Sequence, residues 1–469
     1  MSRKVKERLK TICIFILIVA GALQVGILWG YQSQGTPISF LLGFFNRETP
    51  ISDAVAREKL FIPDRLILSD GGLSHWIIER NSDFYDGLWD EAKQGLVGIA
   101  SGAVSLKVSS EKWGDLAEKR GFIIDFGYTM KPELLNWFLG VSEKNQELPD
   151  VYKLMVKPDI VNENTSTFYI YTSDDRVYIS EPISYEGRVN NLEDILLTVS
   201  EKETQNYRNY HTFRGDKIDE TMSAEPDVLY VVGSPKYWPY FEYSIKPPAK
   251  GKREDELAEI VLGNEKDRYN KSYNEDTIQF SYGDNIYRYY TDGFLTYRYL
   301  GSTDSSGNGE IGKALLNAYK FVARINDLSE TTADIVLTAV EDNQQGIYSF
   351  RFDYRLKGMP VKMEMSMKDD KGKDLSHAIN IQANDDRVLK CEWLLRDFVQ
   401  GIKRDYNDRF LDMDLLRLTG IAFEEMYIKD MRSGYYIDST YVKSIKPKLL
   451  IDMKDKSNFQ IEMPPEKGD

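Results

Sequence analysis

Histidine and cysteine are nearly absent: three and two residues respectively in a chain of 469. Each scarcity excludes a class of chemistry. His75, His211 and His377 are more than a hundred residues apart, so no histidine pair has metal-ligand spacing. The sequence contains no HExxH helix and no G-x-S-x-G elbow, the local signatures of zinc proteases and of serine hydrolases. With Cys13 inside an apolar run and Cys391 alone in the remaining chain, no disulfide framework is available. That is unusual for an oxidising secretory route and ordinary for bacterial surface proteins that fold without bridges. Cys391, between Lys390 and Glu392 in a strand-like run, reads as a small packed residue. Excess positive charge is also lacking. The net charge is −14, although the first ten residues hold five basic side chains against Glu7, so the rest is more acidic still. Such a surface is a poor binder of nucleic acid or of anionic polymers.

Long hydrophobic runs are scarce too, with one exception. Residues 11–31, TICIFILIVAGALQVGILWGY, carry no charge. As a helix rising about 1.5 Å per residue this run spans about 31 Å, enough to cross a bilayer core of about 30 Å. Arg3, Lys4, Lys6, Arg8 and Lys10 precede it and no charge follows before Arg47. The positive-inside bias therefore places residues 1–10 in the cytoplasm and the bulk of the chain outside the cell membrane. The competing reading is a cleaved signal peptide, because Ala20-Gly21-Ala22 is small; that triplet lies mid-span, and the run exceeds a typical h-region. Within the span, Ala22, Gly26 and Gly30 share one helical face at the small-residue spacing that lets two helix backbones approach. Gln24, a polar amide in lipid, gains from a partner helix. These four residues form the candidate helix–helix interface.

Residues 32–56 read as a juxtamembrane connector, with a short apolar patch at 38–45. A hairpin follows at 65–68 and 75–78, with Asp70-Gly71 as a type I′ turn. Ser82 is placed to cap a helix with Tyr85, Leu88, Trp89 and Ala92 on one face. Ser110 is placed to cap a short helix ending at Gly121, and Pro132 opens another closed by Gly140. Strands are expected at 167–171, 176–180 and 227–233, with a helix from Asn191 between the last two. The mixed Pro, Gly and charge of 246–256 predicts a linker. Beyond it the Tyr-rich hairpin 286–300 turns at Asp292-Gly293, and Ile311, Leu315, Ala318, Val322 and Ile325 form a helical stripe. Strands are expected at 334–340, 347–355, 361–367, 377–382, 387–395 and 448–452, with a helix at 412–428. The organisation is α+β with mostly antiparallel sheet: an N-terminal extracytoplasmic region at 57–245, a middle domain at 256–328 and a C-terminal domain at 329–461.

No residue set predicts catalysis, a cofactor or a resident metal. Asp369–Asp374 has a calcium-loop flavour but lacks the required order and the closing glutamate, so it reads as a turn. The Tyr hairpin fits either cross-strand aromatic packing or a sugar-stacking platform. Asp83, Asp86 and Asp90 near Trp89 fit either a solvated helix face or the carboxylates of a wall-acting enzyme.

The anchor ending Ile27-Leu28-Trp29-Gly30-Tyr31-Gln32, the early hairpin Pro63-Asp64-Arg65-Leu66-Ile67-Leu68-Ser69-Asp70-Gly71, the turn at Tyr290-Thr291-Asp292-Gly293 and the segment Leu356-Lys357-Gly358-Met359-Pro360-Val361 together resemble the YycH family. Its members are extracytoplasmic regulators of a cell-wall-linked sensor histidine kinase, YycG or WalK, in low-GC Gram-positive bacteria. The resemblance implies a multi-domain ectodomain whose C-terminal part is similar to the sister regulator YycI. It also implies no enzymatic activity, and regulation through transmembrane contacts with the kinase and the sister protein.

Overall fold

The computed structural model describes residues 51–463 apart from 81, 142–147, 160–163, 185–191, 202–205, 210–222, 232–236, 249–256, 259–269, 275, 303–308, 327–328, 330, 367–373, 408–426 and 455–457. The predicted span 11–31, with Ala22, Gln24, Gly26 and Gly30, lies outside the described residues, as do His211 and most of the predicted helix 412–428 and of the 246–256 linker. Among the described residues no helix is long and apolar enough to cross a membrane.

Helix α1 (Asp53–Leu60) has Asp53 in its first turn and Arg57 and Lys59 in its last, the polarity that complements the helix dipole. Strands β1 (Arg65–Ser69) and β2 (His75–Ile77) form the expected hairpin. Its turn differs from the predicted type I′: only Gly71 takes a positive φ, 82°. Asp70 instead accepts the Gly72 N–H on its side chain at 2.6 Å, an Asx turn that spares a non-glycine residue the left-handed region. Helix α2 (Tyr85–Ala100) buries Tyr85, Leu88, Trp89 and Ala92. It starts later than a Ser82 cap implies, because Ser82 receives the Phe84 and Tyr85 N–H groups in the preceding turn.

Strand β3 (Leu106–Val108) leads to α3 (Trp113–Ala117), where Ser109, not Ser110, accepts the Glu111 N–H. Gly121 does not cap that helix. It begins β4 (Gly121–Met130), where an added Cβ would lie 2.4 Å from the Val156 carbonyl oxygen. Helix α4 (Pro132–Leu139) has Pro132 in its first turn and ends at Gly140, whose φ is 68°; only glycine takes that conformation without strain. Strands β5 (Val151–Pro158), β6 (Thr165–Tyr171) and β7 (Val177–Ser180), helix α5 (Leu192–Glu201), and strands β8 (Tyr207–Asn209) and β9 (Leu229–Val231) complete the first half. The first sheet runs β9-β8-β2-β1-β4-β5-β6-β7-β3. Leu96, Phe126 and Phe168 bury one of its faces, and Trp113, Leu116 and Met155 the other. Double coverage explains why β4 is buried almost continuously instead of alternating.

Strand β10 (Tyr237–Lys246) is followed by β11 (Asn270–Asn274), β12 (Thr277–Tyr282), β13 (Asn285–Tyr290) and β14 (Phe294–Tyr299), and then by α6 (Ile311–Asn326). All five residues of the predicted α6 stripe are buried. The chain continues through β15 (Asp334–Asp342), β16 (Tyr348–Leu356), β17 (Met359–Met363), β18 (Ile379–Ala383), β19 (Val388–Leu394), β20 (Asp397–Asn407), β21 (Tyr427–Ile437), β22 (Lys448–Met453) and β23 (Asn458–Glu462). Tyr427 and Ile428, expected at a helix end, lie in strand β21. The second sheet runs β11-β12-β13-β14-β19-β18-β16-β17-β21-β22-β23, with β15 beside β16. Strands of 256–328 and of 329–461 thus share one sheet, joined where β14 pairs β19. Strand β10 pairs β20 along its length, and Ser223-Ala224 pairs β21 in parallel. The only other parallel ladder described is β17 with β21; the fold is α+β and mostly antiparallel. From Asp53 onward the chain forms one compact unit.

Candidate functional site

Charged side chains rarely enter a sheet interior unless paired, and here they do so together. The β1–β4 register sets Arg65 opposite Asp125, and the β4–β5 register sets Asp125 opposite Lys153. Three adjacent strands therefore present alternating charges on the face shared with Ile67, Ile123 and Met155. Arg65 Nη2 donates to Asp125 at 3.1 Å, and Lys153 Nζ to Asp227 at 2.6 Å. The second sheet supplies the complementary set. Arg355, near the end of β16, donates through Nη1 to the Asp64 main-chain carbonyl at 3.2 Å and through Nη2 to the Asp64 carboxylate. Arg432 of β21 donates to Asp64 Oδ2 at 2.5 Å and also to Asp430, which lies 2.8 Å from Arg65. One carboxylate, Asp64, thus takes guanidiniums from two strands of the other sheet.

Burial alone would raise the Asp64 pKa, but Arg432, Arg355 and Arg65 outweigh it and hold the carboxyl well below its usual range. Asp430 follows the same pattern, with burial opposed by Arg432 and Arg65. Burial would lower the Lys153 pKa, and Asp227 with Asp125 more than restores it. These groups stay ionised near neutral pH. The cluster suits alignment of two sheets, not proton transfer.

The cluster separates two cavities. The larger, about 530 Å³, has Asp64, Arg65, Arg355 and Arg432 on its lining together with Ile77, Tyr207, Tyr240 and Phe241. Glu79, Arg80, Asp334 and Lys357 are exposed at its rim. Lys357 and Gly358, with φ of 52° and 84°, form the two-residue turn between β16 and β17, the geometry of a type I′ hairpin. The smaller cavity, about 190 Å³, reaches His377. His377 Nδ1 lies 2.7 Å from Asp353, which also accepts the Thr338 hydroxyl at 2.7 Å and the Ala378 N–H at 2.9 Å. Asp353 is therefore a hub that ties β15, β16 and the approach to β18. His75 is enclosed in β2 with neither ring nitrogen hydrogen-bonded. Burial pushes it down to about 4, against the pull of Asp70 and Asp227.

The other sequence candidates are placed as follows. Asp83, Asp86 and Asp90 are exposed around the start of α2, and Asp90 pairs with Lys93 at 2.6 Å; they do not converge on a cleft. Tyr287, Tyr289 and Tyr297 of the aromatic hairpin are buried, and Tyr287 and Tyr297 have ring centroids 4.6 Å apart. Those rings pack the core and present no stacking platform. Cys391 is fully buried, and desolvation raises its thiol pKa well above the usual value. Among the described residues no group of three or more His, Cys, Asp or Glu is placed to hold a metal ion. Sequence reading missed the ion cluster. The one local signal is a charge inside an otherwise apolar run, as with Asp125 in GFIIDFGY and Lys153 in VYKLMV.

No family model matches the sequence, and no curated protein matches it. Among solved structures the fold is similar to YycH from Bacillus subtilis, with a TM-score of 0.56 at 11% identity, covering 87% of this chain and 97% of that one. An uncharacterized protein from Eubacterium rectale gives a TM-score of 0.33 at 11% identity, over 59% of this chain and 95% of that one, too low to carry weight. The likeness is one of fold: this chain has a YycH-like architecture along most of its length.

Proposed function

We propose that this chain is a membrane-anchored, non-enzymatic regulator of a cell-wall-linked two-component histidine kinase of the YycG or WalK type. It acts by contact with the kinase and with a YycI-like sister regulator. The observation that carries this reading is the fold likeness to YycH over nearly the whole of both chains. The resemblance read from the anchor, the 63–71 hairpin and the 356–361 turn motivates the same reading. The anchor at 11–31 holds the protein in the cell membrane with residues 1–10 cytoplasmic, and the face formed by Ala22, Gly26 and Gly30 meets a partner helix, with Gln24 assisting. The buried ions of the cluster around Asp64 and Lys153 are paired with one another and ionised near neutrality, in keeping with a scaffold. Co-purification of the tagged full-length chain from solubilised membranes tests the proposal. Recovery of the kinase and the sister regulator is expected; recovery of neither, under conditions that preserve other membrane complexes, refutes it.

A further inference from the structure

Strands β16, β18 and β19 bury one face and leave the other polar. Phe350, Ile381 and Cys391 belong to the core on the side covered by α6, so their sequence neighbours face outward. The registers set Ser349 opposite Gln382 and Gln382 opposite Lys390. One period along, Arg351 lies opposite Asn380 and Asn380 opposite Glu392. Six polar side chains therefore form a grid, about 5 Å apart across the strands and about 7 Å apart along them. With Glu341, Asn343 and Ser376 they line a recess of about 230 Å³. Its charges cancel in pairs, Arg351 with Glu341 at 2.7 Å and Lys390 with Glu392. Asn343 donates to Ser349 at 2.6 Å. The side-chain amides of Asn380 and Gln382 are left with no hydrogen-bond partner among the described residues.

We propose that this recess binds an uncharged oligosaccharide, with the Asn380 and Gln382 amides as its central contacts. Each amide offers two N–H donors and a carbonyl acceptor, a set that pairs with hydroxyls, which both donate and accept. The ion pairs beside them add acceptors from Glu392 and donors from Arg351 without adding net charge. That balance disfavours an acidic or a basic ligand, which would have to break a pair to gain one. A peptide or a lipid is disfavoured by the lack of an apolar anchor: Phe350, Leu375 and Ile381, the apolar residues of the lining, are at most 6% exposed. The recess is smaller than the roughly 300–1,000 Å³ of clefts that enclose a whole ligand. It therefore holds one sugar unit while the chain runs out over the neighbouring strands, where Thr296 and Arg298 of β14 continue the two rows.

The test is saturation-transfer difference NMR on the full-length chain in nanodiscs, with empty nanodiscs as the blank. The probes are chitotetraose and maltotetraose, both uncharged, and tetragalacturonate, which is acidic. Titration should show saturable binding of at least one uncharged probe, and binding of tetragalacturonate at least about tenfold weaker, a difference of about 1.4 kcal/mol. Asn380→Ala and Gln382→Ala should each weaken the uncharged probe by about three- to tenfold, the worth of one or two neutral hydrogen bonds. Gln382 is exposed, so its variant carries the test if Asn380→Ala loses its thermal transition. Ser281→Ala, on the same face of β12 and three strands beyond β19, should leave binding unchanged. Failure of both uncharged probes overturns the inference. So does binding that is indifferent to Gln382→Ala, or tetragalacturonate binding as tightly as the uncharged probes. Neither the kinase nor the sister regulator enters the measurement, so its outcome leaves the regulator reading untouched.

Discussion

Asp64 is the residue on which the two sheets converge, and replacing it by asparagine is the sharpest perturbation of the fold. The side chains of Asp64, Arg355 and Arg432 are 10%, 12% and 16% exposed. The Asp64→Asn change would keep the shape and one acceptor but remove the charge facing two guanidiniums. Arg432 would retain Asp430, whereas Arg355 would keep only the main-chain carbonyl at 3.2 Å. Removing one partner from a buried ionic group costs about 3–5 kcal/mol, chiefly because the other charge stays desolvated. Asp64→Asn should therefore lower unfolding free energy by that amount in urea denaturation followed by tryptophan fluorescence at pH 7. Asp64→Leu with Arg355→Met should cost less than the sum of the two single changes, by about 1–3 kcal/mol. The pH dependence has a definite sign. The folded pKa is depressed, so the wild-type advantage is complete above the unfolded value of about 4 and fades as pH falls below it. A loss under about 0.5 kcal/mol, or strict additivity in the double variant, would refute the claim that this carboxylate joins the sheets.

Two further outcomes follow from single residues. His75, held at about 4 against an ordinary 6.5, favours the neutral form on folding. Stability should fall as pH drops from about 6.5 toward 4, by up to about 3 kcal/mol, and His75→Leu should flatten that slope in denaturation curves taken across the range. At Gly312 of α6 an added Cβ would lie 2.1 Å from Trp137 Cδ1 of α4. Gly312→Ala should thus destabilise by about 1–3 kcal/mol despite the helix-propensity gain of about 1 kcal/mol, and Trp137→Leu should recover part of the loss in the same assay.

Elements whose signal is local were legible. The α6 stripe, the Pro132 and Gly140 boundaries of α4 and the Asp292-Gly293 hairpin all rest on spacings of a few residues. The stripe is buried as its period demands, and Gly293 takes a φ of 87°. Strands β4 and β5 escaped because covering both faces erases alternation. Strands β10, β20 and β21 escaped because they carry Pro239, Gly401 or interleaved charges that read as loop. The ion cluster was invisible for a different reason. Asp64 meets Arg355 and Arg432 from 291 and 368 residues away, and no local spacing encodes a contact of that range. The anchor stands apart: its apolar run and flanking charges are local, and they motivate the proposed membrane contact.

That contact is tested most directly by in-membrane pairing of the full-length chain with the kinase and the sister regulator, scored beside kinase output. Gly26→Ile puts a branched side chain where helix backbones would need to meet, whereas Leu28→Ile only moves a branch point on the opposite face. The account predicts normal insertion of both variants, with pairing and regulation of the kinase lost in Gly26→Ile and retained in Leu28→Ile. Equal pairing and equal output for the two would contradict it.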